Sequence, residues 1–123
     1  MSYTIYLSGE IHSDWREQIK QGILDKQLDI EVLSPITDHD TSDNVGSDIL
    51  GTEEKNFWKD HKAAKINALR SNSYISRSDI VVIRFGDKYK QWNAAFDAGI
   101  ATGLGIPTII MHAPELTHPL KEV

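Results

Sequence analysis

The sequence predicts an α/β protein in which helices cover both faces of a parallel β-sheet. Strand-like and helix-like segments alternate along the chain, four strands with three helices between them, as in sheets built from right-handed crossovers. Residues 80–83 are four consecutive apolar residues without alternation, which is typical of a strand buried on both faces. The length of 123 residues corresponds to one three-layer domain over residues 1–123.

Three elements are predicted in the first half of the chain. Residues 3–7 form a short aromatic and β-branched run that predicts the first strand, and residues 30–33 predict the second. Residues 36–51 are dense in Asp, Ser, Thr and Gly, so we expect a long loop there, functional or mobile. Between the two strands, apolar residues recur every four positions and predict a helix that ends near Leu28: Ile11, Trp15, Ile19 and Ile23.

Two helices and two strands are predicted in the second half. A helix opens at residues 52–54 and lasts to about Arg70, and its continuation to Ile75 is left open. The buried strand extends over residues 79–85, and a helix over residues 93–103 follows it. The many small residues of that helix suit close packing on a sheet, and residues 107–111 predict the fourth strand.

Composition narrows the classes of function. The chain has 13 Lys and Arg against 18 Asp and Glu, a net charge of −5, whereas a general nucleic-acid binder is expected to be basic. The absence of cysteine excludes disulfides, Cys-ligated zinc and thiol nucleophiles, and it fits a reducing cytoplasm. No apolar run approaches the ~18 residues that span a bilayer. We therefore expect a soluble cytoplasmic protein with no nucleic-acid or membrane partner, no cofactor and no metal.

The charge is unevenly distributed along the chain. Residues 1–54 carry 12 acids and 3 bases, whereas residues 55–90 carry 9 bases and 3 acids. The basic segment is either a solvated helix face or a region that attracts a small polar or anionic ligand. Its most regular part consists of four lysines at helical spacing: Lys55, Lys59, Lys62 and Lys65.

Ligands of open parallel α/β sheets bind beyond the carboxyl ends of the strands, where loops and helix N-termini converge. Two aromatic residues in the polar loop after the third strand, Tyr89 and Trp92, are placed to stack on a flat ring. The rule selects four loops: Ser8, Gly9, Glu10 and His12 after the first strand, residues 36–51 after the second, residues 87–93 with Asp87, Gln91, Trp92 and Asn93 after the third, and residues 112–115 after the fourth.

Asp97 is predicted to lie in about the first turn of the helix that follows the third strand. Free N–H groups and the helix dipole hold a carboxylate ionised at that position, which suits a nucleophile and disfavours a proton donor. An ordinary acidic residue near a helix N-terminus would look the same in the sequence, so both interpretations stay open.

Several short motifs together resemble those of the nucleoside 2-deoxyribosyltransferases and their N-glycosidase relatives. The match over residues 75–110 has no gap, and the chain as a whole is similar to the YtoQ branch of that superfamily. The motifs are Tyr-Leu-Ser-Gly at residues 6–9, Ser-Asp-Ile-Val-Val at residues 78–82, Ala-Phe-Asp-Ala-Gly-Ile-Ala at residues 95–101, Gly-Ile-Pro at residues 105–107 and the run over residues 85–97.

The resemblance implies a flavodoxin- or Rossmann-like sheet of strand order 2-1-3-4 and a double displacement at the anomeric carbon of a nucleoside or nucleotide-like ligand. Asp97 stands where the family has its nucleophilic glutamate, and Tyr6 stands where it has a tyrosine near the sugar. Gly9 matches a small residue that lets the ligand approach the backbone, and Asp79 matches the start of the third strand. Relatives complete their sites across subunit contacts, so the resemblance also implies a homo-oligomer.

The chain departs from the family pattern at the acidic positions. Asp97 is one methylene shorter than glutamate, Gln91 replaces an aspartate that contacts the sugar, and Ser71 or Asn72 replaces a carboxylate that faces the base. Three functions therefore stay open: an N-glycosidic enzyme, a module that binds a nucleotide-like ligand without turnover, and a structural partner in an oligomer. The predicted site loops contain other acids and bases that could substitute for the missing ones, namely Glu10, His12 and Asp87.

Overall fold

The computed structural model of the chain describes residues 1–52 and 54–123, apart from the side chains of His39 and Asp40. Its elements follow one another in the order β1 (Tyr3–Gly9), α1 (Trp15–Asp25), β2 (Ile30–Leu33), α2 (His39–Leu50), α3 (Asn56–Ser76), β3 (Ile80–Arg84), α4 (Trp92–Gly103) and β4 (Thr108–Met111), with a 3₁₀ turn at Pro114–Leu116.

The four strands form one parallel sheet in the order β2-β1-β3-β4. Ile5 of β1 pairs with Val32 of β2 and with Ile80 of β3, and Val81 of β3 pairs with Thr108 of β4. β1 and β3 are therefore the central strands. The predicted fold class and strand order are confirmed. Because the strands are parallel, their carboxyl ends lie along one edge of the sheet, and this edge collects the loops that the sequence analysis selected.

Each face of the sheet carries its own apolar core because successive side chains of a strand point to opposite faces. On one face, α1 packs Trp15 against Leu7 and Val82. On the other face, Tyr6 and Ile83 lie beneath the small residues of α4 and the end of α3, which approach closely: Ala94, Ala98, Ala101 and Ile75. The unbroken apolar run of the third strand is thus explained by burial on both faces.

The predicted loop over residues 36–51 is wrong, because most of it is helix α2. Asp38 caps this helix, and its carboxylate accepts a hydrogen bond from the Thr41 N–H at 2.8 Å. Helix α2 packs along α3, where the Asn67 amide donates to the Ser42 hydroxyl at 3.0 Å. Asp, Ser and Thr have low intrinsic helix propensity, so packing against α3, which the local sequence does not show, decides the conformation.

The boundaries of two other helices also differ from the prediction. Helix α1 ends at Asp25 and the chain turns at Gln27, which has a φ of +53°, three residues before β2. Helix α3 starts at Asn56 instead of residues 52–54, a segment that includes Glu53, which lies outside the described residues. It runs without interruption to Ser76, so the continuation that the sequence left open is present. None of the described helices has the length and apolar character that crossing a bilayer requires.

Candidate functional site

A cavity of about 990 Å³ opens at the carboxyl edge of the sheet, on the side covered by α3 and α4. Its floor is the end of β1, its walls are α3, α4 and the β3–α4 loop, and α2 adds Ser42 and Asp43. The predicted site residues that line it are Tyr6, Ser8, Gly9, Glu10, His12, Gln91, Trp92, Asn93 and Asp97. A volume of this size accommodates a small molecule.

A hydrogen bond in the lining of the cavity joins β1 to α4. The Ser8 hydroxyl, at the end of β1, donates to the Asp97 carboxylate of α4 over 2.6 Å. Ser8 is fully buried and Asp97 is partly buried. Burial raises the pKa of Asp97, and the Ser8 hydrogen bond offsets only part of that effect because it favours the ionised form.

This environment corrects the sequence-based interpretation of Asp97. Helix α4 begins at Trp92, so Asp97 is its sixth residue and lies in the second turn. The free N–H groups of a helix belong to its first turn, and they are out of reach of this carboxylate. Burial therefore controls Asp97, and its pKa is raised where the sequence analysis expected the helix N-terminus to hold the carboxylate ionised.

Tyr6 forms the floor beside this pair. Its ring is completely buried and lies 6.1 Å from the ring of Tyr74, and its hydroxyl donates to the Ser71 hydroxyl at 3.2 Å. Burial raises the pKa of Tyr6 to about 12, against a smaller opposite effect of the Ser71 hydrogen bond and a further increase from Asp97. The phenol is therefore neutral at physiological pH and stays a hydrogen-bond donor.

A second carboxylate of the cavity, Glu10, is buried, with 8% of its surface exposed. Its carboxylate accepts hydrogen bonds from the backbone N–H groups of His12 and Ser13 and from the Ser13 hydroxyl. Arg84 Nε lies 3.9 Å from Oε2. Burial alone would raise the pKa of Glu10, but the Ser13 and His12 hydrogen bonds, with the nearby His12 ring, together lower it.

Arg16 fixes the conformation of the chain where β1 ends and the β1–α1 loop begins. The sequence analysis did not identify this residue. Its guanidinium is buried and donates to the carbonyl oxygens of Leu7, Gly9 and Glu10 over 2.5–3.3 Å. The adjacent Trp15 ring donates its N–H to the Glu10 carbonyl as well, at 2.7 Å. Burial lowers the pKa of Arg16. A basic residue in the first turn of an amphipathic helix looks solvated in a sequence, so no local signal marks this role.

The β3–α4 loop supplies the rim of the cavity. Gln91 accepts a hydrogen bond from the Gly86 N–H at 3.0 Å through its carbonyl oxygen, so the group that it can offer a ligand is its NH₂ donor. Trp92 is 76% exposed and Tyr89 is 51% exposed, and both border the opening. The Tyr89 ring lies 4.8 Å from the His12 ring. The Lys88 ammonium lies over the Tyr89 ring at 5.4 Å, and the Lys90 ammonium lies over the Trp92 ring at 5.9 Å. The exposed parts of flat rings at a cavity mouth are suited to stacking on a ligand.

Some predicted residues lie elsewhere. Asp87 is exposed and does not line the cavity, and neither does the loop after β4, where His112 contacts the Ala113 carbonyl. Asp79 lies at the opposite edge of the sheet, where its carboxylate accepts the Thr4 N–H at 2.8 Å. The four lysines at helical spacing are absent from the cavity lining too. They do not form a uniformly solvated face, because Lys62 is half-buried and donates to the Gly51 carbonyl at 3.1 Å.

The described residues contribute no metal cluster to this cavity: among their side chains, no three His, Cys, Asp or Glu groups could hold an ion together. Fold and site thus define a parallel α/β protein with a small-molecule cavity at the carboxyl ends of its strands and a partly buried carboxylate, Asp97, in its lining.

Comparison with known proteins identifies the family. Residues 6–123 match the family described as nucleoside 2-deoxyribosyltransferase YtoQ, and the chain belongs to that family. A relative from Bacillus subtilis (strain 168), described as uncharacterized protein YtoQ, is 45% identical over 123 residues, which cover 100% of this chain and 83% of the relative. The resemblance in the sequence motifs is thereby confirmed.

Proposed function

We propose that the protein cleaves or transfers the N-glycosidic bond of a nucleoside or nucleotide, with the Asp97 carboxylate as nucleophile. The observation that supports this most directly is the pair formed by Ser8 and Asp97, a partly buried carboxylate oriented by a hydroxyl at 2.6 Å inside the cavity. Membership of a family described as nucleoside 2-deoxyribosyltransferases supports the same class of reaction.

The reaction would proceed by two displacements at C1′. One oxygen of Asp97 accepts the Ser8 hydrogen bond, and the other attacks C1′. As the new C–O bond forms, the C1′–N bond breaks, its electron pair leaves with the base, and the base takes a proton from solvent. Water or a second base then attacks C1′ and loses its proton to solvent, and the C–O bond to Asp97 breaks to restore the carboxylate.

The environment of Asp97 suits this role. The transition state carries positive charge on the sugar, and a carboxylate with few water contacts stabilises that charge more strongly than a solvated one. The Ser8 hydrogen bond orients the carboxylate and favours its ionised form, which offsets part of the increase in the pKa of Asp97 that burial causes. Tyr6, neutral because its pKa is about 12, adds no negative charge beside it. At the rim, Trp92 and Tyr89 would stack on the base, and Gln91 would donate from its NH₂ group.

Release of free base from a panel of nucleosides and nucleotides tests the proposal. Asp97→Asn should lose activity by about a thousandfold or more, since it removes the nucleophile. Asp97→Glu, which restores the family's residue, should retain measurable activity. Asp25→Asn is the matched control and should keep the parent's activity, because Asp25 is an exposed carboxylate at the end of α1 that does not line the cavity. Parent-like activity in Asp97→Asn would overturn the assignment of the nucleophile.

Loss of activity in Asp97→Asn must be separated from loss of the fold. Because burial raises the pKa of Asp97, its ionised form opposes folding at neutral pH, and the neutral amide removes that cost. The variant should therefore be at least as stable as the parent in urea unfolding at neutral pH. A variant that is both inactive and strongly destabilised would leave Asp97 with a structural role.

The second candidate function is a binding module without turnover. One feature of the cavity lining favours it, namely neutral side chains at positions where the family has acidic ones. Gln91 lines the cavity where the sequence resemblance places one acidic residue of the family, and Ser71 and Asn72, one of which stands where it places another, line it too. Two carboxylates are thus replaced by neutral groups. This candidate predicts thermal stabilisation by a nucleoside with no product. A ligand at 100 times its Kd that binds only the folded state adds about 2.7 kcal/mol to the free energy of unfolding.

A further inference from the structure

His12 lies beside the space that a leaving base would occupy. It belongs to the loop between β1 and α1 and lines the same cavity as Asp97. Its ring lies 4.8 Å from the Tyr89 ring, at an interplanar angle of 48°. Tyr89 is one of the two exposed rim aromatics suited to stacking on a base, so an imidazole in contact with it borders the same space.

The Glu10 carboxylate fixes the backbone that carries this imidazole. It accepts hydrogen bonds from the backbone N–H groups of His12 and Ser13 and from the Ser13 hydroxyl. Glu10 is itself confined, because a methyl group on Gly86 would lie 2.5 Å from its Cγ. The His12 side chain is exposed and also lines the cavity, so it is in contact with both the cavity and solvent.

Among the described residues that line the cavity, no other titratable side chain is suited to give a proton to a base at neutral pH. Asp97 is the nucleophile and has to be ionised. Burial alone would raise the pKa of Glu10, but hydrogen bonds from Ser13 and His12 lower it, so the carboxylate is ionised and only accepts. Burial raises the pKa of Tyr6 to about 12, so the phenol holds its proton. The remaining groups are solvated carboxylates, which are ionised at neutral pH, and cations or phenols, which hold their protons: Asp43, Asp60, Arg70, Lys90 and Tyr89.

We infer that His12 is the general acid of the reaction: its imidazolium passes a solvent proton to the leaving base while Asp97 attacks C1′. This assignment rests on the proposed function. Of the three acids and bases that the sequence offers as substitutes, Asp87 lies outside the cavity lining and Glu10 is held ionised, which leaves His12. Imidazole gains and loses a proton near neutral pH, the range in which a general acid is most effective.

Protons and electron pairs balance in both displacements. As the bond from Asp97 to C1′ forms, the C1′–N electron pair moves onto the base, and one ring N–H of the imidazolium gives its proton to the base. The neutral imidazole then takes a proton from the water or second base that attacks C1′, and the C–O bond to Asp97 breaks. Because the His12 side chain is exposed, its ring exchanges protons with solvent between turnovers.

Two substrates with the same sugar test this role. The first is the nucleoside that the parent cleaves best, and the second is the 4-nitrophenyl glycoside of its sugar, whose nitrophenolate leaves without a proton. His12→Gln should lower kcat on the nucleoside by about a hundredfold or more and change kcat on the nitrophenyl glycoside by less than about threefold. His118→Gln is the matched control and should match the parent on both substrates, because His118 is exposed and does not line the cavity.

The pH profile and chemical rescue distinguish an acid from a structural residue. The imidazolium is the active form, so kcat of the parent on the nucleoside should fall as the pH rises through the titration of imidazole, and His12→Gln should lack this fall. Imidazole added to His12→Ala should restore part of the lost rate. The charged groups nearest to the ring are the Glu10 carboxylate and the Lys88 ammonium over Tyr89, and both variants keep them.

The outcomes separate the role of His12 from the proposed function. Parent-like cleavage of the nucleoside by folded His12→Gln would overturn the role of His12, and so would an equal loss on both substrates. Either result would leave Asp97 as the nucleophile. If the parent releases neither a base nor nitrophenolate, the proposed function itself is refuted. Thermal unfolding checks that each variant is folded.

Discussion

Gly9→Ala is expected to destabilise the protein at the junction between β1 and the cavity. Gly9 has a φ of +113°, a conformation that L side chains rarely adopt. An added methyl group would overlap the carbonyl oxygen of Arg84 on the neighbouring strand and lie 2.9 Å from the carbonyl carbon. Backbone strain of this kind costs about 1–3 kcal/mol and overpacking costs about 1–3 kcal/mol, so the expected loss is roughly 2–6 kcal/mol.

That loss is a large share of the 5–15 kcal/mol by which domains are typically stable, so urea unfolding followed by circular dichroism should resolve it easily. Gly22→Ala is the control, since nothing lies within 4 Å of its added methyl group and it is inside α1. Alanine is favoured over glycine in a helix, so this variant should gain about 0.5–1 kcal/mol. If Gly9→Ala stays within about 0.5 kcal/mol of the parent, the strained close approach at Gly9 is refuted.

Two further substitutions test the site and the helical hairpin. Ser8→Ala removes the hydrogen bond that favours ionised Asp97, so the pKa of Asp97 should rise further. Relative to the parent, the variant should lose free energy of unfolding as the pH rises through the titration of Asp97, by about 1.5–3 kcal/mol once Asp97 is ionised. Urea unfolding at several pH values measures this loss, and a loss that does not depend on pH would contradict the role of the hydrogen bond. Gly46→Ala would place a methyl group 2.8 Å from the backbone nitrogen of Ala63 and push α2 away from α3, so the free energy of unfolding should fall by roughly 1–3 kcal/mol. Gly99→Ala is the control, because its methyl group has open space, and thermal unfolding should show no loss of stability in this variant.

The candidate site was partly accessible from the sequence. The positions of Ser8, Glu10 and Asp97 follow from the rule that parallel strands end at one edge, combined with the family motifs. Their mutual contacts do not follow, because Ser8 and Asp97 are 89 residues apart and meet only when α4 packs beside β1. The raised pKa of Asp97 is equally tertiary in origin, since it depends on burial by residues from distant parts of the chain.

The sequence by itself determined the order of the four strands and of three of the four helices, and the parallel sheet, because the apolar periodicity of each of these elements records which faces are buried. The contribution of the tertiary structure is clearest at α2 and at Arg16. Most of the polar segment 36–51 is helical because α3 provides a packing surface. Arg16 is buried where carbonyl oxygens from the end of β1 and from Glu10 converge on it. Both outcomes arise from contacts between segments that local propensity does not encode, and such contacts shape the cavity.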